Sequence, residues 1–278
     1  SFDNLVFVHG RIATLDIFML TFMLLGFHWY FGGRTVLSAV GFALATLCKI
    51  GGVYGFAVIV LYHFLKDAWR GGKWEWRVKL QWLERFTLSY VIAGLALLAV
   101  LDRIWGGYAN PFDHVTFIYN YTKALVREAP EGIESYPWQW LLNEVKIPYL
   151  TVNVNYYSGG VVVGTSTIVA FQGAMNPLII FLCIPSLGYM AYTYLRSRNE
   201  FPLFILLWFC LTYIPFFPMS IFMHRIMYLF YFLNTVPSVC GAIAFMMVDQ
   251  KPPRIVVLAY LVAVLAAFAM LFPFKTVP

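Results

Sequence analysis

Several charged residues in this chain stand where a charge is costly. Within the apolar run from Phe217 to Pro237, His224 and Arg225 sit side by side. A guanidinium at bilayer depth is held where it faces a cavity or an interface. Lys49 interrupts two apolar stretches at a turn marked by Gly51 and Gly52, and Arg11 and Asp16 stand at the head of another. Arginine offers a planar bidentate fork and lysine a point charge, which together suit an anion such as a phosphate. Each has a plainer role as well. Arg11 and Asp16 can form a local ion pair that finishes a helix end, and Lys49 can snorkel. On a helical reading of this run, His224, Tyr228 and Tyr231 share one face, with Arg225 about 100° away.

The elements that must position these groups are membrane helices. The 278 residues are 61% hydrophobic and only 12% charged, with a mean hydropathy of +0.74. That excludes a soluble domain of this size, whose surface needs many more charges. Continuous apolar runs rather than alternating ten-residue segments exclude a membrane β-barrel. The net charge of +6 sits largely in short loops, where it sets topology, and no nucleic-acid partner is implied. Cys48, Cys183, Cys210 and Cys240 all lie inside apolar runs, so no disulfide framework is expected. No metal and no bound cofactor are expected.

Apolar stretches at 14–31, 35–48, 53–65, 86–102, 177–195, 201–217, 221–248 and 255–273 give about eight crossings. The basic segment 66–85 carries Lys66, Arg70, Lys73, Arg77, Lys79 and Arg85 among tryptophans. It reads as a cytoplasmic loop lying on the headgroups. Counting outward from it places residues 1–13, the Lys49 turn, the segment 103–174 and His224-Arg225 on the external face. Arg34, 66–85, 196–200 and 249–254 fall on the cytoplasmic face. No internal repeat is visible, and the charges gather at one face rather than at mid-bilayer. Both observations rank a transporter or channel last. The expectation is an all-α polytopic membrane protein, one transmembrane helical domain over 1–278, whose external segment carries interfacial helices.

Five pieces in order resemble the protein O-mannosyltransferase family of membrane glycosyltransferases, which use dolichyl-phosphate sugars. Arg11-Ile-Ala-Thr-Leu15-Asp16 is similar to the family's arginine followed by Leu-Asp at the mouth of an early span. Ala45-Thr-Leu-Cys-Lys49-Ile-Gly51 resembles its Ser/Thr-Lys turn followed by glycine. Ser135-Tyr-Pro-Trp138-Gln-Trp140 resembles a Ser-x-Pro-Trp stretch, and Met175-Asn176-Pro177 a Gly-Asn-Pro. Arg225 through Pro237 resembles an arginine, an aromatic run and a proline-bounded Leu-Pro-x-x-Pro. The departures are Met175 for Gly, Tyr231 where the family often has His, and Asn234 where it has Pro. The external segment is too short for the β-trefoil of eukaryotic members, so the likeness is to prokaryotic ones.

The resemblance implies a GT-C-type bundle in a prokaryotic cell membrane rather than the endoplasmic reticulum. It implies inverting transfer of a sugar, mannose by default, from a polyprenyl- or dolichyl-phosphate donor to a Ser or Thr hydroxyl of a protein acceptor. Arg225, Lys49 and Arg11 would hold the lipid phosphate. His224, Tyr228, Tyr231 and Trp138 would contact substrate. The family's catalytic acid lies in a first external loop, expected upstream of Ser1 in an N-terminally incomplete chain, with Asp16 as the candidate within it. The alternatives are a non-catalytic subunit that binds a polyprenyl lipid or a partner supplying further spans, and an enzyme acting on a lipid acceptor. In a cysteine-free background, single cysteines at positions 70 and 130 are expected to label from opposite sides of the membrane. Labelling of both from one side would refute the crossing count.

Overall fold

The computed structural model describes residues 2–67 and 75–272; Arg70 and Lys73 of the basic segment lie outside the described residues. The protein is mostly helical, with one two-stranded sheet. Helix α1 (Asn4–Arg11) starts where the Asp3 carboxylate accepts the Val6 amide hydrogen, the usual way of satisfying a first-turn donor. It bends through 106° into α2 (Leu15–Phe31) at a break holding Ala13 at φ 50°. Gly32 and Gly33 stop α2, and α3 (Thr35–Cys48) folds back along it. The two helices approach closely at their small residues, where Ser38 Oγ donates to the Gly26 carbonyl at 2.8 Å. Small residues allow such approach in the absence of a hydrophobic drive between lipid-facing helices.

A 3₁₀ turn, Ile50–Gly52, follows Lys49 and leads into α4 (Val53–Leu65). This turn is possible because residue 52 is glycine. A methyl group there would stand 2.4 Å from both the Ala45 carbonyl carbon and the Thr46 nitrogen.

Helix α5 (Trp76–Trp105) runs unbroken for 30 residues, so the second half of the basic segment is not a loop but the first turns of a span. No glycine or proline interrupts it before Gly94. Its buried Lys79 donates to the Phe64 carbonyl at 2.9 Å and pairs with Asp67 at 3.2 Å. The lysine thereby caps the open carbonyls at the end of α4. Gly106, at φ 64°, ends the helix.

The segment 103–174 holds two helices and a ribbon. Helix α6 (Pro111–Ala124) begins at an Asn110 cap with Pro111 in its first turn, and α7 (Pro137–Leu141) is a single turn. Strands β1 (Ile147–Ser158) and β2 (Val161–Gly173) pair antiparallel, where only interfacial helices were expected. The sequence signal is local: β-branched and aromatic residues flank Gly159-Gly160, both at positive φ, as a two-residue hairpin turn demands.

The second half comprises α8 (Pro177–Phe181), α9 (Cys183–Ser197), α10 (Glu200–Tyr213), α11 (Phe216–Ile221), α12 (Val236–Gln250) and α13 (Arg254–Met270). Asn176 ties this half to the first. It caps α8, donates its backbone N–H to the Asp3 carboxylate at 2.8 Å, and donates its side-chain amide to the Phe2 and Val264 carbonyls. The expected span 221–248 is broken. Residues 222–228 are not helical, Leu229–Asn234 form a 3₁₀ turn, and regular helix begins only at Val236.

Among the described residues three helical stretches are long and apolar enough to cross a membrane: Trp76–Trp105, Pro177–Ser197 and Glu200–Ile221. The bent pair α1–α2 makes a fourth if it is one span. A count of eight needs the four shorter apolar helices as well, which have 10–17 residues each. At 1.5 Å per residue these reach at most about 26 Å, against a hydrocarbon core of about 30 Å. Gly52→Ala is expected to lower stability by about 2–3 kcal/mol, the upper part of the range for overpacking, because backbone rather than a movable side chain blocks the methyl. Thermal unfolding in detergent checks this; an unchanged transition would mean that the α3–α4 turn is not tight.

Candidate functional site

The break between α11 and α12 creates the site. After Ile221 the chain turns through His224, a non-glycine residue at φ 48°, and runs extended. Its backbone is satisfied by the segment 103–174: Arg127 and Ser135 amides donate to the His224 and Met227 carbonyls, and the Ile226 amide donates to the Leu125 carbonyl. The 3₁₀ turn that follows is pinned where the buried Trp208 indole donates to the Asn234 carbonyl at 2.8 Å. Thr212 and Thr235 hydroxyls meet beneath it at 3.0 Å.

These elements enclose a cavity of about 260 Å³, near the lower end of the about 300–1,000 Å³ usual for small-molecule sites. Its wall is built from the start of α2, the Lys49 turn, the end of α6, α11 and the broken segment: Asp16, Met19, Lys49, Gly51, Tyr54, Thr122, Phe216, Met219, Arg225, Tyr231 and Asn234 all line it. The lining is mostly apolar and aromatic, with two cations and one carboxylate set into it.

Lys49 Nζ lies 2.7 Å from Asp16 Oδ1. It also sits 4.6 Å from the centroids of the Phe230 and Tyr231 rings, where each ring face attracts the ammonium. Burial pushes the Lys49 ammonium below its ordinary pKa, and the Arg225 charge pushes the same way, while the Asp16 carboxylate opposes both. Arg225 Nη1 donates to the Thr122 carbonyl at 2.8 Å. No carboxylate lies within ion-pair distance of Arg225 among the described residues. A guanidinium has five N–H donors, so this one keeps donors to offer a ligand. The Tyr231 hydroxyl on the same wall can both donate and accept a hydrogen bond. The cavity can accept an anion: it carries two cations against one acid, in surroundings that strengthen the attraction.

The fold brings Arg225, Lys49, Asp16 and Tyr231 together and leaves the other sequence candidates elsewhere. Arg11 is exposed at the end of α1 and does not line the cavity. The Arg11–Asp16 pair is not formed, because the bend between α1 and α2 sends Asp16 inward to Lys49. His224 and Tyr228 do not share a helical face with Tyr231, because the residues between them are not helical. His224 is exposed and contributes its carbonyl to Arg127. Tyr228 stacks on Phe230 at 4.9 Å, and its backbone bridges to Glu134. Trp138 stacks on Tyr136 at 4.4 Å, outside the cavity.

Two charged clusters in and beside the segment 103–174 are locally paired. Arg127 bonds Glu131 and Glu134, and His114 bonds Asp102. Asn234, Tyr54 and Met19 line the cavity without having been singled out as site residues. A polar Asn inside an aromatic run was the signal available for the first; nothing in the sequence marks the other two.

Comparison with family models, with curated proteins and with solved structures finds no match for this chain.

Removing Lys49 alone should leave Asp16 as an unpaired buried acid, a change that costs more than removing both partners. In a cycle of Asp16→Asn, Lys49→Met and the double variant, a coupling of about 0.5–3 kcal/mol is expected, the range for residues in direct contact. Unfolding in a mild detergent measures it, and additivity of the two single effects would remove the ion pair from the account of the fold.

Proposed function

We propose that the protein is an integral membrane glycosyltransferase of a prokaryotic cell membrane that uses a polyprenyl-phosphate sugar as donor. One observation carries this reading: Lys49 and Arg225, distant in sequence, line one mostly apolar cavity at the helix ends. A lipid phosphate needs both features, cations for the headgroup and an apolar, aromatic wall for the first isoprene units. The sequence resemblance to the protein O-mannosyltransferases supports the same donor, with mannose as the sugar and a Ser or Thr hydroxyl of a protein as acceptor.

The reaction is then an inverting displacement. The acceptor oxygen attacks the anomeric carbon on the side opposite the phosphate, and the new glycosidic bond forms as the old carbon–oxygen bond breaks. The phosphate leaves with the bonding electrons, and Arg225 and Lys49 hold the charge it gains. A carboxylate takes the acceptor's proton. Asp16 is the one carboxylate lining the cavity among the described residues. A donor phosphate arriving at Lys49 competes with Asp16 for the ammonium and frees the carboxylate for this role.

A second reading is favoured by the same ion pair. With Asp16 held by Lys49, the cavity offers no uncommitted base, which suits a non-catalytic subunit that binds a polyprenyl lipid beside a partner carrying the acid. Both readings require the cations. Arg225→Ala should weaken binding of dolichyl phosphate by about ten- to a hundredfold, the range for a hydrogen bond to a charged group, with Arg225→Lys retaining part of it. Unchanged affinity in Arg225→Ala, measured in detergent by tryptophan quenching, would assign the arginine to pinning α6 alone. Transfer of labelled mannose to a Ser/Thr peptide by the purified chain separates the enzyme from the subunit.

A further inference from the structure

Asn234 is 3% exposed and lines the cavity, yet its amide oxygen has no hydrogen-bond partner. Its amide nitrogen reaches only the Met19 sulfur, at 3.9 Å. Turning the amide over merely exchanges which end is left, since a thioether is a weak partner for either. A buried amide costs free energy when it is unpaired. The neighbouring polar groups show no such deficit. The Asn234 carbonyl is bonded to Trp208, and Thr235 is bonded to Thr212. The unpaired group is the one on the cavity wall.

Its position says what it would pair with. Lys49 and Arg225 supply positive charge on the same wall, and neither can accept a hydrogen bond. An amide oxygen can accept one, and the amide nitrogen can donate to a second oxygen. We propose that Asn234 reads a hydroxyl group borne next to the anion, so that the cavity selects a sugar phosphate ester over a bare phosphate of the same lipid. This rests on the reading of the cavity as a lipid-phosphate site and adds to it the group that recognises the sugar.

The test compares two probes, dolichyl phosphate and dolichyl-phosphate mannose, on purified wild type, Asn234→Leu and Asn234→Ala. Wild type should bind the mannosyl lipid more tightly. Both variants should keep their affinity for dolichyl phosphate within about twofold and lose roughly three- to tenfold on the mannosyl lipid, the value of one ordinary hydrogen bond. Lipid-free Asn234→Leu should also unfold at a temperature equal to or above that of wild type, because an unpaired amide has been replaced by an apolar group of similar size. A role confined to packing would weaken both lipids alike and lower the unfolding temperature, and that result overturns the proposal. An undiminished preference for the mannosyl lipid in both variants overturns it too, while leaving the phosphate site intact. If wild type binds neither lipid, the lipid-phosphate reading itself falls, and this inference falls with it.

Discussion

A charge carried into an apolar bundle must be neutralised where it stands, and the Lys49–Asp16 pair is where this protein meets that condition. The pair closes the mouth of α2 against the turn between α3 and α4 at 2.7 Å. It can do so only because α1 and α2 are bent apart and because Gly52 lets the turn lie against the α3 backbone. Without the tight turn, Lys49 would snorkel outward. The ion pair therefore joins three helices and sets one wall of the cavity. It also leaves Arg225 as the cation on that cavity with no acidic partner within ion-pair distance among the described residues.

The opposite wall follows from a second constraint, that every buried backbone group finds a partner. From Met223 to Tyr228 the chain gives up its helical bonds, and the loops after α6 and before α7 take up the His224, Ile226 and Met227 backbone groups. This exchange turns Arg225 toward the Thr122 carbonyl and holds Tyr231 over the Lys49 ammonium. The segment is thus a joint between the segment 103–174 and the helical bundle. Irregular backbone in a membrane protein is tolerated where protein or a cavity lines it, and here both do.

The opposite ends of the helices are built differently. Tyr62 donates to Glu200, Tyr30 bonds His63, and Lys79 caps the last carbonyls of α4. Their rings pack tightly, with His63 stacked on Trp82 at 3.6 Å. The end carrying Lys49 and Arg225 instead encloses the cavity that both cations line.

Much of this was legible without coordinates. Composition and run length established a helical membrane protein, and costly charges flanked by apolar residues marked Lys49 and Arg225, because a charge in such a place has few harmless explanations. The helices 35–48 and 53–65 read correctly from their glycines and Lys49. What the sequence could not carry was direction. Apolar periodicity is identical for a helix that continues and one that yields its backbone bonds to a distant loop, so the run 221–248 read as one span and His224 and Tyr228 were placed on a face they do not form. Spacing paired Arg11 with Asp16, but only the bend decided that Asp16 meets Lys49. The hairpin is written locally, around Gly159-Gly160, where the sequence reading expects only interfacial helices. Residue types by themselves determined that this chain must bury a few charges in an apolar bundle; tertiary structure alone decided which of them meet, because that depends on bends and backbone exchanges between segments far apart in the chain.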